Sequence, residues 1–436
     1  MERKYKDSGI EWIGKIPETW EVSQLSNLFK EHSKRNIGIQ ETNLLSLSYG
    51  SIIRKNINDN GGLLPESFEG YNIVEKDDIV FRLTDLQNDK RSLRTGLVKE
   101  RGIITSAYVT VRKRDYKNSS SYFHYLFHSC DECKIFYGLG AGVRQGMNFQ
   151  DLKKLGIVLP PLSEQQRIAD YLDEKCVEID SLIALQEQMI EKLKAYKQSV
   201  ITEAVTKGLD PNAKLVPSGI DWIGEIPEGW SLAKMDYICS VITDFVASGS
   251  FESLRVNVPY LDSPDYAMLV RTADLSGTAK SDKRVYISKH SYDFLKNSNL
   301  FGGEIVLPNI GASVGDVYIV PNSLYSKMSL GPNSIMFKTI YYDMYYYYYF
   351  LGEPGRRSVI NMCQATAQPK FNKTQLRGLQ VVLPPLEEQK RIVEFVDSKC
   401  SDIDRLIALK QQKIESLKDY KKSVIYEAVT GKTEIE

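Results

Sequence analysis

A chain of 436 residues, 42% hydrophobic and 26% charged, has the make-up of an ordinary soluble globular protein with room for about two to four domains. Lys and Arg balance Asp and Glu at 56 each, so no overall charge points to a polyanion, and the six cysteines lack the spacing of a disulfide framework. The N-terminus has no apolar core for a signal peptide and no run reaches about 18 apolar residues, so secretion and membrane spans are set aside and a cytoplasmic protein is expected.

The chain opens on SGIEWIGKIPETW (8–20), whose two tryptophans are expected to be packing anchors. A long insert, 21–158, follows. Within it DDIVFRLTDLQNDKRSLRTG (77–96) reads as a strand running into a polar, basic loop, and ITSAYVTVRKR (104–114) as a β-rich run ending in cations. Residues Tyr122–Tyr137 read as one amphipathic helix. They include Cys130 and Cys133 with His124 and His128 upstream, which could hold zinc, but no second CxxC follows and a packed helix is expected instead. The insert closes on a polar stretch, GAGVRQGMNFQDLKKLGI (140–157).

LPPL (159–162) then ends one element, because proline lacks a backbone donor and restrains the residue before it. Ser163 with Gln166 suggests a capping box, and no Pro or Gly intervenes before Gly208, which gives a helix of about 44 residues, roughly 65 Å long. Its apolar residues repeat in heptads: Leu172, Ile179, Leu193 and Val200 at one position, Cys176, Ile183 and Ile190 at the other. Gln186 and Lys197 interrupt the seam.

Almost everything but the insert then recurs. SGIDWIGEIPEGW (218–230) repeats the Trp segment, and residues 383–430 repeat 159–206 from LPPL to EAVT. The second seam, Val396, Cys400, Ile403, Ile407, Ile414, Leu417 and Val424, keeps the same phase, and Lys410 and Lys421 fall where Gln186 and Lys197 do. The two helices are the natural partners of each other, most readily antiparallel. The second insert, 231–382, shows little likeness to the first. It offers LVRTADLSG (269–277), GGEIVLPNIGASVGDVYIV (302–320) and a closing polar stretch, QATAQPKFNKTQLRGLQV (364–381).

The zero net charge divides unevenly. Residues 21–155 carry 20 Lys/Arg against 16 Asp/Glu and residues 231–378 carry 15 against 12, whereas residues 163–208 carry 6 against 9. The inserts therefore lean basic, as recognition of a polyanion requires. Within them Arg82, Lys90, Arg91 and Arg94 suit phosphates or guanine edges, and Gln87 and Asn88 suit adenine edges. Arg112, Lys113, Arg144, Gln145 and Asn148 are further candidates in the first insert, and Arg271, Asn309, Thr366, Gln368, Lys370 and Asn372 in the second. Asn148 and Asn372 each stand eleven residues before the Leu of LPPL, so a shared helix-cap role competes with DNA contact. No phosphate-binding loop, methyltransferase motif or acid–base cluster is evident, so the chain is not expected to be an enzyme.

The doubled Trp-Ile-Gly-x-Ile-Pro-x-x-Trp segment and the doubled Leu-Pro-Pro-Leu-x-Glu-Gln run into a long helix, alternating with two dissimilar inserts, resemble the specificity subunit of a Type I restriction–modification system along the whole chain. The resemblance implies a mixed α/β fold with two globular target-recognition domains, separated by two long helices paired as an antiparallel coiled coil in a pseudo-two-fold internal repeat. The segments would be 1–20, 21–158 (first recognition domain), 159–208, 209–230, 231–382 (second recognition domain) and 383–436. It further implies a non-catalytic subunit that reads an asymmetric bipartite double-stranded DNA target, recruits two adenine-methyltransferase subunits and is joined by restriction–translocase subunits. S-adenosylmethionine, ATP and Mg²⁺ would sit on those partners and none on this chain. The alternatives are a coiled-coil adaptor without DNA specificity and an enzyme with unrecognised motifs.

Overall fold

The computed structural model of the protein describes residues 3–56, 67–84, 93–139, 146–278, 283–363 and 368–435. Two compact units emerge: Met1–Glu187 with Gln411–Glu436, and Gln188–Lys410. Each long helix is shared between them. The first helix runs Leu162–Lys207 and the second Leu386–Val429. The first begins one residue earlier than its expected cap, so Ser163 lies inside the first turn, and the amides of Glu164 and Gln165 both donate to the Pro161 carbonyl.

In unit 1 the beginning of the first helix lies along the end of the second. Leu172 and Cys176 share a core with Ile425, Ala428 and Val429, and Lys421 Nζ reaches both Asp180 carboxylate oxygens at 2.7 and 2.8 Å. In unit 2 Ile201, Ala204 and Val205 share a core with Ile392, Val396 and Cys400, and Lys197 pairs with Asp404 at 2.7 Å. Within each unit the two helices therefore run in opposite directions. The heptad positions are the buried ones: Ile179, Ile190, Ile403, Ile414 and Leu417 are at most 8% exposed, while Leu182, Leu185, Leu406 and Leu409 between them exceed 40%. Two of the lysines that break the apolar seam, Lys197 and Lys421, carry their ammonium groups out to aspartates of the other helix.

The insert of unit 1 is tied at its root by strand β1 (Glu21–Gln24), which pairs antiparallel with the strand that leads into LPPL, Gly156–Leu159. Inside it β2 (Phe29–Glu31), β3 (Ile79–Phe81), β4 (Thr95–Leu97) and β5 (Val109–Lys113) form an antiparallel sheet in the order β2-β5-β3-β4. Helix α1 (Ser120–Glu132) lays Tyr122, Phe123 and Phe127 on this sheet, with Phe123 edge-on to Phe29 at 5.2 Å and Phe127 against Phe81 at 5.1 Å. The expected single helix is broken after α1: Cys133 ends it, Lys134 turns left-handed with φ +60°, and α2 (Ile135–Leu139) restarts. The break puts Cys130 in the core and leaves Cys133 exposed. Among the described residues no group of three His, Cys, Asp or Glu could hold a metal.

Unit 2 repeats the plan. Ser231–Lys234 pairs with Gln380–Leu383 at the root of its insert. Strands β6 (Cys239–Asp244), β7 (Ile305–Pro308), β8 (Tyr318–Ile319) and β9 (Ser334–Thr339) pair antiparallel in the order β6-β9-β7-β8, the order of the first insert. The Tyr-rich run becomes helix α3 (Asp343–Leu351), which buries Tyr345, Tyr346 and Tyr349 in the core. Among the described residues no helix is long and apolar enough to cross a membrane.

The repeated motifs explain themselves at the roots. Trp20 is fully buried and its Nε1 donates to Glu164 Oε2 at 2.9 Å; Trp230 Nε1 donates to Glu388 Oε2 at the same distance. The Gln beside each Glu is also buried. Gln165 Oε1 accepts from the Ser119 amide at 2.9 Å and its Nε2 donates to the Pro160 carbonyl at 2.8 Å, while Gln389 does the same with Tyr342 (3.3 Å) and Pro384 (2.9 Å). Each Glu-Gln pair therefore joins a Trp segment, a proline pair and the start of an insert helix. One tyrosine of each insert helix then reaches the end of a long helix: Tyr122 Oη donates to the Val429 carbonyl and Tyr345 Oη to the Val205 carbonyl, both at 2.9 Å.

Candidate nucleic-acid interface

In unit 1, β3 emerges from the sheet at Arg82 and the chain returns at Leu93. The Arg82 amide donates to the Arg94 carbonyl at 2.8 Å, and the Met147 amide to the Leu83 carbonyl at 2.9 Å. The described flanks of the two polar stretches singled out in the first insert thus meet at one end of the sheet. Gln87, Asn88, Lys90, Arg91, Arg144 and Gln145 lie outside the described residues.

In unit 2 the corresponding strand β7 leads to Asn309. The Asn309 carbonyl accepts from the Phe371 amide and its Nδ2 donates to the Phe371 carbonyl, both at 3.0 Å, and the Gly311 amide donates to the Pro369 carbonyl at 3.0 Å. The closing polar stretch of this insert therefore lies against the loop after the third-placed strand of the sheet, as in unit 1. Asn309, Gln368, Lys370 and Asn372 are brought together here, the last three exposed. Thr366 lies outside the described residues.

Three candidates are placed elsewhere or otherwise engaged. Arg112 and Lys113 sit at the opposite end of the sheet, since Val109 is the partner of Phe81 and Val111 that of Ile79. Arg112 is bound through Nε and Nη2, each at 2.7 Å, to Asp78, which is 1% exposed, and Lys113 Nζ lies 3.6 Å from Asp77. Both charges are answered within the protein, and the buried Asp78 carboxylate requires a partner such as Arg112. Arg271 grips Asp274 at 3.1 Å and donates to the Lys283 carbonyl at 2.6 Å.

Arg94 is a plain correction. Its side chain was expected at phosphates or guanine edges, but it is 0% exposed, with Nη1 donating to the Thr84 carbonyl at 2.8 Å. It is a part of the interior.

The two asparagines take the cap role. Asn148 Oδ1 accepts from the Gln150 amide at 2.7 Å while Asp151 accepts from the Asn148 amide at 3.1 Å, ahead of the short helix Phe149–Leu152. Asn372 exchanges the same pair of bonds with Gln375, both at 3.0 Å, ahead of Lys373–Gly378. Asn148→Ala and Asn372→Ala are each expected to cost about 0.5–2 kcal/mol of stability in urea denaturation. At temperatures where the variants stay folded, the salt dependence of DNA affinity should not move; a slope lowered by about one would assign the side chain to a phosphate.

The pattern of the family described as Type I restriction modification DNA specificity domain matches residues 17–195 and 242–419. The chain is 26% identical over 439 residues to a putative type I restriction enzyme MjaX specificity subunit of Methanocaldococcus jannaschii, covering 97% of this chain and 96% of that one. It is 23% identical over 297 residues to the EcoKI specificity subunit of Escherichia coli, covering 66% and 60%. Among solved structures, a chain of a type I restriction–modification system superposes with a TM-score of 0.68 at 16% identity, covering 96% of this chain and 99% of that one. The HsdS subunit from Thermoanaerobacter tengcongensis gives 0.52 at 15% identity, covering 96% and 98%. The likeness to both structures shows a shared fold along nearly the whole chain.

Proposed function

Because the chain belongs to the family of Type I restriction–modification DNA specificity domains, we propose that each insert reads one half of an asymmetric bipartite double-stranded DNA target. The reading face in each is the loop cluster at one end of its four-stranded sheet, rooted in residues 82–84, 93–94 and 146–148 in unit 1 and in 309–311 with 368–372 in unit 2. The observation that carries the proposal is that two inserts without sequence likeness bring their polar stretches to the same place on the same strand order. A constant frame with variable loops is how one fold serves many recognition tasks.

In this reading the chain supplies recognition, not catalysis. Two adenine-methyltransferase subunits bind it, and restriction–translocase subunits complete the complex, bringing S-adenosylmethionine, ATP and Mg²⁺ with them. The test is to exchange residues 21–158 for the first insert of another family member and sequence host DNA for modified bases. One half of the methylated motif should change completely and the other should persist. If both halves change, or neither does, the assignment of one insert to each half is wrong.

A further inference from the structure

The proposed reading face rests on a buried guanidinium. Arg94 is wholly enclosed, and an enclosed guanidinium is stable only where acceptors meet its N–H groups. Here Nη1 donates to the carbonyls of Thr84 (2.8 Å) and Arg82 (3.3 Å), and Nε to Tyr137 Oη (3.2 Å), with the guanidinium carbon 5.4 Å from the centre of the Tyr137 ring. The Arg94 backbone completes the tie. Its carbonyl accepts from the Arg82 amide, and its amide donates to Asp131 Oδ2 at 2.6 Å. Asp131, at the end of α1, is 1% exposed and supplies the nearby negative charge.

The side chain thus ties the returning strand to the outgoing strand at Arg82–Thr84 and to helix α2 at Tyr137, while the backbone amide of the same residue ties it to α1 at Asp131. Leu83, between two of the tied residues, is also the acceptor for the Met147 amide of the closing polar stretch. All four chain segments that lead to the reading face of unit 1 are fixed relative to one another at this point. In unit 2 a neutral side chain makes the corresponding tie, Asn309 Nδ2 to the Phe371 carbonyl.

We propose that Arg94 and Asn309 are positioning residues for sequence discrimination, each setting the geometry of one reading face without touching DNA. Base readout by bidentate hydrogen bonds demands placement to a fraction of an ångström, so loosening the roots of the loops costs discrimination before it costs overall affinity. Phosphate contacts, being longer-ranged, tolerate such movement better. This inference rests on the recognition reading above.

The experiment uses the full chain with its methyltransferase subunits. The wild-type target is first defined by sequencing modified DNA, and affinity is then measured for the target and for single base-pair changes in each half. Arg94→Met and Arg94→Lys should lower discrimination in the first half about tenfold or more, Lys less than Met, leaving the second half as in wild type. Asn309→Ala should do the reverse. Tyr137→Phe, a milder change that keeps the ring, should give a smaller loss confined to the first half. Since Arg94→Met removes buried hydrogen bonds, thermal unfolding is followed in parallel, and Tyr137→Phe keeps the test valid if Arg94→Met does not fold.

Unchanged discrimination in folded variants overturns the positioning role, and so does an equal loss on both halves or on all DNA, which is what general destabilisation produces. A wild-type complex with no sequence preference would instead remove the recognition reading itself.

Discussion

Trp20→Ala is expected to remove about 3–5 kcal/mol from the stability of unit 1, the cost of deleting a fully enclosed aromatic side chain. The ring stands edge-on to Tyr122 at 6.4 Å, and its Nε1 serves Glu164, which also pairs with Arg3. Glu164 is 9% exposed, so loss of the indole donor leaves a carboxylate with fewer partners out of water. Trp20→Phe separates the two contributions: most of the packing stays, the donor goes, and about 1–3 kcal/mol should be lost. Trp12→Ala should cost less than Trp20→Ala, since Trp12 is only half-buried and its ring meets Tyr426 obliquely at 6.3 Å. Hydrogen exchange of α1 amides, which reports unit 1 by itself, is the appropriate measurement. A Trp20→Ala loss under about 1 kcal/mol would show that the root of the insert is held elsewhere.

Unit 1 should also lose stability as pH falls from about 6.5 towards 4, a range where most carboxylates are still ionised. His124 and His128 lie on one face of α1 with ring centres 5.7 Å apart, and the Nδ1 of each is buried without a partner among the described residues. Burial, then the charge of His128 and of Lys99, pushes His124 down to about 3. Burial pushes His128 down to about 4, with Glu132 opposing and Lys421 assisting. Between pH 4 and 6.5 the unfolded chain binds protons at both rings and the folded one does not, so each proton taken up favours unfolding. Asp131 works against this. Burial raises it to about 6, so between about pH 4 and 6 the folded state holds a proton that the unfolded state releases. Two histidines against one aspartate leave a net loss, on the order of 2–3 kcal/mol between pH 6.5 and pH 5. Urea midpoints measured across that range should fall for the wild type and rise slightly for His124→Leu with His128→Leu, where the Asp131 contribution is left unopposed. A wild-type midpoint that stays level to pH 5 would show that both rings take up protons in place.

The helices and their seam were legible because a heptad pattern is local and is repeated with the same phase. Leu172, Ile179 and Val396 announce their faces within two turns of their neighbours. The tryptophans are legible as anchors, but neither Glu164 as the partner of Trp20 nor Gln165 as the partner of Ser119 is. A Glu-Gln pair at a helix start reads as an exposed cap, and only the folded chain shows that Ser119 and Trp20 close over it. The common strand order of the inserts was hidden for a different reason. Runs such as Ile79–Phe81 and Ile305–Pro308 are three or four residues long and buried on both faces, so they carry no alternation, and their partners are far away in sequence, as Phe29 is from Lys113. Arg94 was misread because a cation in a polar stretch is ordinarily solvated. Nothing near it in the sequence shows that the carbonyls of Arg82 and Thr84 turn inward.

The first unit is made of two pieces of chain and the second of one. Tyr122 needs the Val429 carbonyl, Tyr426 Oη needs the Trp12 carbonyl, and Lys432 Nζ needs the Ile13 carbonyl. Gly431, left-handed at φ +71°, passes so close to Pro17 that a Cβ there would lie 2.6 Å from its Cδ. During synthesis none of these contacts can form until the intervening residues, Gln188–Lys410, have been made. At about 5–20 residues per second that delay lasts roughly 10–45 s. Residues 3–187 emerge first yet finish folding last, with Tyr122, Phe123 and Phe127 awaiting the cover that Ile425, Ala428 and Val429 bring. The folding of unit 1 is therefore governed by the arrival of Gln411–Glu436 as much as by the stability of its own packing.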